Sequence, residues 1–192
     1  MRIAQLLSPV HSLGPGERVC LWVQGCTKNC RGCISPEMQE HKGKDMAEDV
    51  LSKILISAAV SGKCRGLTVS GGDPFEQSES LYKLLVYVRD FFGDILVYTG
   101  FCIDEIKNGA AGSSGIKCLD YIDVLIDGRY IDERNFHDTV LRGSDNQKIH
   151  YLNENIRAVY EEYMNGGRII ETFAHNDTVI LTGIMDRREF YE

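Results

Sequence analysis

Apolar residues along the chain form short continuous runs that alternate with stretches of helical spacing. The runs cover residues 19–24 (VCLWVQ), 66–70 (GLTVS), 94–99 (DILVYT) and 122–126 (IDVLI). Runs of about four to eight residues bounded by glycine or polar turns are typical of buried strands. We therefore predict four central strands, preceded by an N-terminal arm or hairpin that is interrupted by a turn at residues 14–16 (GPG).

Helices are predicted between these strands. Residues 45–58 place apolar side chains at helical spacing, and Asp45 with Glu48 matches a capping box. In residues 78–92 a stripe of leucine and valine marks one face of a second helix. A short helix is predicted near residues 104–108, followed by a glycine- and serine-rich loop. Strands that alternate with helices favour parallel βαβ units, whose active sites lie at the C-terminal ends of the strands.

The C-terminal part of the chain has a different pattern. Residues 153–164 predict a helix that is closed by Gly166 and Gly167. Residues 168–174 and 178–183 alternate apolar and polar side chains around a predicted turn at His175-Asn176-Asp177, which predicts a β-hairpin.

Composition excludes several classes of function. The 192 residues include 21 Lys and Arg and 28 Asp and Glu, and the resulting net charge of −7 disfavours nucleic-acid binding. The longest apolar run, residues 54–60, is too short to span a bilayer. The first twelve residues lack the apolar region of a signal peptide. We therefore expect a cytoplasmic protein that binds neither nucleic acid nor membranes.

Seven cysteines, an odd number, argue against a disulfide framework and for a reducing compartment. Three of them form a tight cluster, Cys26-x3-Cys30-x2-Cys33, directly after the first central strand. The other four are expected to be small, buried apolar residues: Cys20, Cys64, Cys102 and Cys118.

The spacing of the three clustered cysteines favours a [4Fe–4S] cluster. Such a cluster is usually held by four thiolates, so three would leave one iron open to an outside ligand such as S-adenosylmethionine. The alternative is a structural zinc site in which His41 supplies the fourth ligand. His41 lies in a charged stretch (HKGKD), where a solvated histidine is the simpler interpretation.

Gly71 and Gly72 follow the second central strand and precede Asp73 and Pro74. A glycine pair at this place indicates close backbone approach to a ligand, although a tight turn is the simpler alternative. It is not a nucleotide P-loop, because no Gly-Lys-Ser/Thr follows.

Several motifs together resemble those of the radical S-adenosylmethionine superfamily, and within it the anaerobic ribonucleoside-triphosphate reductase-activating proteins. The resemblance extends from about Leu13 to His150 and rests on five segments in the expected order. These are WVQGC with RGC around the cysteines, SGGDP at residues 70–74, YTGF at 98–101, DVLIDG at 123–128 and RGSDNQ at 142–147.

The resemblance implies roles for individual residues. Cys26, Cys30 and Cys33 would hold the cluster. The other implied residues would contact S-adenosylmethionine: Gly71, Gly72, Asp73, Thr99, Asp127 and Arg129. Many members of the superfamily carry an aromatic residue before the third cysteine, where this chain has Gly32; adenine contact would then come from the backbone next to Cys33 and Ile34.

The implied activity is that of an oxidoreductase of the activating type. Reductive cleavage of S-adenosylmethionine at the [4Fe–4S] cluster would generate a glycyl radical on a large partner such as anaerobic ribonucleotide reductase. A flavodoxin- or ferredoxin-type protein would donate the electron. The alternative is a radical S-adenosylmethionine enzyme that modifies a peptide or a small molecule.

The implied fold is an α/β incomplete (βα) barrel of the radical S-adenosylmethionine type. Residues 1–152 would form this core. Residues 153–192 would form a C-terminal extension of a helix and a β-hairpin, packed on the core.

Overall fold

The computed structural model of the chain describes residues 1–43, 45–175 and 178–185. Its centre is a six-stranded sheet in which each strand lies beside its neighbours in sequence. The strands are β1 (Ile3–Val10), β2 (Arg18–Val23), β3 (Gly66–Gly71), β4 (Asp94–Tyr98), β5 (Val124–Asp127) and β6 (Lys148–Tyr151). Strands β2 to β5 are parallel, and both edge strands run antiparallel to their neighbours. Of the two alternatives for the N-terminal stretch, the structure shows the hairpin, and the four central strands are confirmed.

Helices cover one face of the sheet. They are α1 (Glu48–Gly62), α2 (Ser78–Val88), α3 (Ile103–Lys107) and α4 (Gly112–Cys118). The main apolar core lies between these helices and alternate strand residues, for example Leu21, Val69 and Val97, which are fully buried. Successive side chains of a strand point to opposite faces, so the residues between them, such as Trp22 and Ser70, face the other side of the sheet.

The C-terminal elements contact that second face. Helix α5 (Arg157–Asn165) buries Tyr160 in an apolar cluster with Leu96 and Val124. The hairpin of β7 (Ile170–His175) and β8 (Thr178–Gly183) confirms the predicted strand pair. The predicted turn at residues 176–177 lies outside the described residues.

The second face also carries a buried charged network below α5. Arg18 is fully buried and donates two hydrogen bonds to the carboxylate of Asp94, at 2.7 and 3.1 Å. The hydroxyl of Tyr160 donates to the same carboxylate at 2.5 Å. A buried cation is tolerated only when it is paired and hydrogen-bonded, and this arrangement meets both conditions.

Four sequence expectations need correction. Helix α1 begins at Glu48 after Ala47 and has no side-chain cap, because Asp45 instead forms an isolated antiparallel bridge with Arg2. The glycine- and serine-rich loop contains helix α4. The predicted helix 78–92 leaves α-helical geometry after Val88. Cys102 is exposed rather than buried.

No helix in the described part of the chain is long and apolar enough to cross a membrane.

Glu171 of β7 anchors the hairpin to the loop before β2. Its carboxylate accepts hydrogen bonds from the backbone N–H groups of His11 and Ser12, at 2.8 and 2.7 Å. Burial alone would raise the pKa of Glu171, but the hydrogen bonds from His11 and Ser12 outweigh it and lower the pKa below the ordinary 4.5. The carboxylate form is therefore the one that holds the hairpin.

Replacing Glu171 with glutamine should weaken this anchor in a pH-dependent way. A carboxyl group whose pKa is lowered by folding stabilises the fold above its unfolded pKa, and the contribution is lost as the pH falls through the folded pKa. We expect Glu171→Gln to cost about 1 kcal/mol near pH 7. Urea unfolding of the iron-free parent and of iron-free Glu171→Gln should be measured from pH 7 to pH 3. The free energies of unfolding of the two proteins should converge as the pH falls below about 4.5. A difference that stays constant in acid would contradict the assignment.

Candidate metal centre and its cavity

A cavity of about 430 Å³ lies on the sheet face opposite α1 and α2, and it reaches the C-terminal ends of the parallel strands. Its volume is in the range that holds a cofactor-sized ligand. The cysteine loop, the ends of β3 and β4 and the segment 180–185 all contribute to its wall. The convergence of strand ends that the alternating pattern predicts is therefore present.

The three clustered cysteines lie together on this wall. Cys26, Cys30 and Cys33 are half-buried and all line the cavity. Burial raises the pKa of the Cys26 thiol to about 11, partly offset by the backbone N–H of Lys28, which donates to its Sγ at 3.4 Å. Burial also raises the pKa of Cys30. Metal binding requires thiolates, so iron uptake at these positions must release protons.

The backbone around the cysteines is fixed by residues that follow them in the chain. The N–H of Gly25 donates to the carbonyl of Met38 at 2.8 Å, and the N–H of Cys26 donates to the carbonyl of Gln39 at 2.9 Å. The buried side chain of Gln24 donates to the carbonyls of Glu37 and Glu40. These bonds fold the loop back on itself and fix the backbone at Cys26.

Gly71 and Gly72 pack against the strand that carries the cysteines. A Cβ at Gly71 would lie within 3.0 Å of the Val23 backbone, and one at Gly72 within 3.0 Å of the Gly25 backbone. The N–H of Gly72 donates to the Val23 carbonyl at 2.8 Å. The space that a side chain would fill is thus occupied by protein backbone. Both glycines also line the cavity, so the contact of their backbone with a ligand stays a prediction.

Asp73 joins the ends of β3 and β4. Its carboxylate is almost fully buried and accepts hydrogen bonds from Thr99 Oγ1 at 2.8 Å and from the backbone N–H groups of Gly100 and Phe75, both at 3.0 Å. Burial raises the pKa of Asp73 to about 6, against the opposing effect of these bonds and of the Lys28 ammonium. With its oxygens engaged in this way, Asp73 acts as a positioning residue for the two strand ends.

The remaining predicted contact residues divide into two groups. Thr99 and Ile34 line the cavity. The carboxylate of Asp127 is buried and accepts the N–H of Ile103 at 2.6 Å, at the start of α3. Arg129 is exposed, and its charge lowers the pKa of Cys30. Neither Asp127 nor Arg129 is among the described residues that line the cavity.

The RGSDNQ segment fixes the loop that follows β5. Gln147 lines the cavity, and its side-chain amide donates to the carbonyl of Gly128 at 2.8 Å. Asn146 donates to the carbonyl of Arg129 at 2.8 Å, and Ser144 Oγ accepts the N–H of Ile131 at 3.1 Å. These contacts hold the loop beside the cysteines.

His41 does not join the cysteines in the described structure. Its Nδ1 lies 3.2 Å from the Arg2 guanidinium and its Nε2 lies 3.8 Å from Glu76. The acidic neighbours of Cys26 are Asp73 and Glu76, with ligand atoms within 4.8 Å of one another. Glu76 accepts two hydrogen bonds from Thr27, so both carboxylates already have protein partners. This geometry gives no support to a zinc site completed by His41.

Lys28 and the segment 180–185 are among the parts of the cavity wall that were not identified from the sequence. Lys28, between the first two cysteines, lines the cavity and places its Nζ 3.1 Å from the centroid of the Phe101 ring. Its position inside the cysteine motif is the signal that could have identified it. The segment 180–185 has no such signal, because only its tertiary contacts bring it to the cavity.

Comparison with known proteins gives this geometry its context. A protein-family model described as "4Fe-4S single cluster domain" matches residues 12–150. An anaerobic ribonucleoside-triphosphate reductase-activating protein of Haemophilus influenzae is 36% identical over 143 residues, which are 71% of this chain and 89% of the relative. The chain belongs to the family of anaerobic ribonucleoside-triphosphate reductase-activating proteins. Proteins with the same name from Enterobacteria phage T4 and Escherichia coli K12 are 35% and 31% identical, over 71% and 72% of this chain and 85% and 91% of the relatives.

The residues at the site fit the iron–sulfur cluster of this family of activating proteins. Three cysteine side chains, which are soft donors once deprotonated, line one cavity, and the carboxylates of Asp73 and Glu76 beside Cys26 accept hydrogen bonds from Thr99 and Thr27. Thiolates are the usual protein ligands of [4Fe–4S] clusters. The family match ends at residue 150, so helix α5 and the β7–β8 hairpin lie outside it.

Proposed function

We propose that this chain is a radical S-adenosylmethionine activating enzyme that generates a glycyl radical on a partner, an anaerobic ribonucleoside-triphosphate reductase. One observation carries the proposal: the three thiols Cys26, Cys30 and Cys33 line one cavity of cofactor size in a member of this activating-protein family. A [4Fe–4S] cluster on three thiolates keeps one iron free for an outside ligand. Together the cluster and S-adenosylmethionine supply one-electron cleavage of the sulfonium to a 5′-deoxyadenosyl radical.

The residues of the chain would bind the cluster, orient S-adenosylmethionine and shield both from water. Cys26, Cys30 and Cys33 are the proposed cluster ligands. The proposed contacts to S-adenosylmethionine remain Gly71, Gly72, Asp73, Thr99, Asp127, Arg129 and Ile34. Asp73 and Thr99 act by joining the ends of β3 and β4, which fixes the cavity floor. A fixed, water-poor cavity is what radical chemistry needs, because the reactive carbon must meet only its target hydrogen.

The same proposal covers the fold and the setting of the protein. Four parallel strands, with helices on one face and the cavity on the other, support an incomplete (βα) barrel over residues 1–152. Residues 153–192 would be the extension packed on it. We further propose that a flavodoxin- or ferredoxin-type protein donates the electron and that the protein is located in the cytoplasm.

Anaerobic reconstitution tests the proposed function directly. The reconstituted protein should bind about four iron atoms per chain and, once reduced, release 5′-deoxyadenosine from S-adenosylmethionine. After mixing with an anaerobic ribonucleoside-triphosphate reductase, electron paramagnetic resonance should show a stable glycyl radical. Release of 5′-deoxyadenosine with a modified peptide or small molecule and no protein radical would favour the alternative enzyme class. No 5′-deoxyadenosine at all would refute both.

Lys28 is the residue we expect to bind the carboxylate of S-adenosylmethionine. It is half-buried at the cavity wall, whereas Arg129 is exposed and outside the described lining. Charge-assisted hydrogen bonds contribute about 1.5–3 kcal/mol, so Lys28→Met should weaken S-adenosylmethionine binding by tenfold or more. Binding of methylthioadenosine, which has no carboxylate, should be unchanged. Isothermal titration of the reconstituted protein measures both.

Lys53→Met is the matched control for Lys28. Lys53 is an exposed lysine on α1, and its Nζ is 3.6 Å from Asp49. The control should bind both ligands as the parent does. If Lys28→Met lost affinity for both ligands equally, the cavity would have collapsed and no carboxylate partner would be identified. If only Arg129→Met lost affinity for S-adenosylmethionine, Arg129 would be the residue that binds the carboxylate.

A further inference from the structure

The β7–β8 hairpin supplies part of the wall of the cavity that holds the three cysteines. Residues 180–185 line this cavity, although they lie 30 or more residues beyond the end of the family match at residue 150. The chain thus adds a wall to the site from a segment outside the part that defines its family. A wall that faces a cofactor-sized cavity is positioned to contact whatever binds there.

The hairpin is held against the sheet by specific contacts. Ser12 and Thr182 are both buried, and their hydroxyl oxygens are 2.7 Å apart. The Asn135 side chain donates to the carbonyl of Met185 at 3.1 Å. Phe173 and Ile184 pack beside the apolar cluster of Val10, Leu13 and Cys20. These contacts, together with the Glu171 anchor, fix both strands of the hairpin.

The two regions of the cavity wall differ in chemistry. The cysteine loop follows the C-terminal end of β2 and contributes the thiols and the Lys28 ammonium. The hairpin is anchored at Ser12, which precedes β2, and its segment 180–185 contributes four apolar residues to the lining, together with Thr182 and Gly183: Ile180, Leu181, Ile184 and Met185. Ile34 and Met38 make the cysteine side partly apolar, but that side also carries the thiols and a cation, whereas residues 180–185 carry no charged side chain.

S-adenosylmethionine has the matching asymmetry. Its amino and carboxylate groups are polar and suit the cysteine side, where a metal and a cation are available. The adenine ring of its adenosyl group is flat, and the faces of this ring suit a wall of aliphatic side chains. We propose that the β7–β8 hairpin, through Leu181 and its neighbours, forms the binding wall for the adenosyl group. This inference rests on the proposed function, since it names the part of the same cofactor that the hairpin contacts.

Leu181 and Val179 provide a matched pair for the test. They are two residues apart in β8, on the same face of the strand, and both are partly exposed, at 42% and 64%. Leu181 lines the cavity and Val179 does not. Because neither is buried, Leu181→Ser and Val179→Ser should leave folding nearly unchanged.

The measurement is titration of the anaerobically reconstituted full-length protein with methylthioadenosine, which carries the adenosyl group without the amino acid. Leu181→Ser should weaken its binding about tenfold. Val179→Ser should stay within about twofold of the parent, and Leu181→Met, which keeps the side-chain volume, should retain affinity. Binding of free methionine, which has no adenosyl group, should be the same in all four proteins.

The outcomes separate this inference from the proposed function. If the parent binds methylthioadenosine and releases 5′-deoxyadenosine but Leu181→Ser binds as tightly as Val179→Ser, the hairpin inference is wrong and the proposed function stands. If Leu181→Ser loses only glycyl-radical formation on the partner, the hairpin contacts the partner and the inference is again wrong. If the reconstituted parent binds neither methylthioadenosine nor S-adenosylmethionine, both proposals fail.

Discussion

Replacing Cys30 with alanine should remove the iron–sulfur cluster and with it all cleavage of S-adenosylmethionine. A cluster held by three thiolates depends on each of them, and the two that remain would not retain a cubane. Anaerobically reconstituted Cys30→Ala should contain almost no iron or sulfide and lack the charge-transfer absorption of a cluster. It should release no 5′-deoxyadenosine.

The fold should survive this change, which makes the result interpretable. Cys30 is half-buried in a loop, outside the apolar clusters that support the sheet. The free energy of unfolding of the iron-free protein should therefore fall by less than about 1 kcal/mol. Circular dichroism and urea unfolding of parent and variant, both without iron, measure this.

Cys102→Ala is the matched control for the ligand assignment. Cys102 is an exposed cysteine and is absent from the described cavity lining. Its replacement should leave iron content and 5′-deoxyadenosine release unchanged. A full cluster in Cys30→Ala, or equal iron loss in both variants, would refute Cys30 as a ligand. A saturated zinc centre in the parent would refute the iron–sulfur proposal as a whole.

The central strands could be predicted because they are parallel and buried on both faces. Residues such as Val19, Leu21 and Val23 are buried on the helix-covered face, while Cys20, which lies between them, is buried on the other. This produces a continuous apolar run rather than an alternating one. Strand β6 was missed because it is a short edge strand, Lys148–Tyr151, with no fully buried residue.

Helix α4 and the start of α1 show where local sequence is a weak guide. Helix α4 has the sequence GSSGIKC, whose glycines and serines are poor helix formers, yet it packs Cys118 into the core beside α2. Tertiary packing there outweighs intrinsic propensity. Asp45 and Glu48 match a capping box in sequence, but Glu48 pairs with the N-terminal amine of Met1, 47 residues away in the chain.

The cysteine motif of the candidate site could be identified from the sequence, whereas the contacts that support it could not. The cysteine spacing is a local feature, so it indicates a metal site without any knowledge of the fold. The contact of Thr182 with Ser12, by contrast, joins residues 170 positions apart. The role of Gly72 also depends on a neighbouring strand, since its missing side chain makes room for the Gly25 backbone.

Gly72→Ala is accordingly expected to detach the cluster site from the sheet while leaving the core folded. The alanine Cβ would lie within 3.0 Å of backbone atoms of Gly25, the residue immediately before Cys26. Backbone cannot rotate away as a flexible side chain can, so the cysteine loop or the end of β3 must shift. Overpacking of this kind costs about 1–3 kcal/mol. The hydrogen bond from Asp73 N–H to the Gly25 carbonyl, 2.9 Å, should be strained or lost as well.

Because that shift would move Cys26 relative to the other thiols, the expected readout is cluster retention rather than unfolding alone. Reconstituted Gly72→Ala should lose iron to a chelator at least about tenfold faster than the parent, since about 1.4 kcal/mol at the site corresponds to a factor of ten. Gly93→Ala is the control, because its Cβ would meet only the Arg65 carbonyl at an ordinary 3.5 Å, and it should retain iron as the parent does. If Gly72→Ala retained iron equally well, the contact between Gly72 and Gly25 would not be what positions the cluster site. The glycine pair would then have to act through its backbone groups toward a ligand, as the sequence alone suggests.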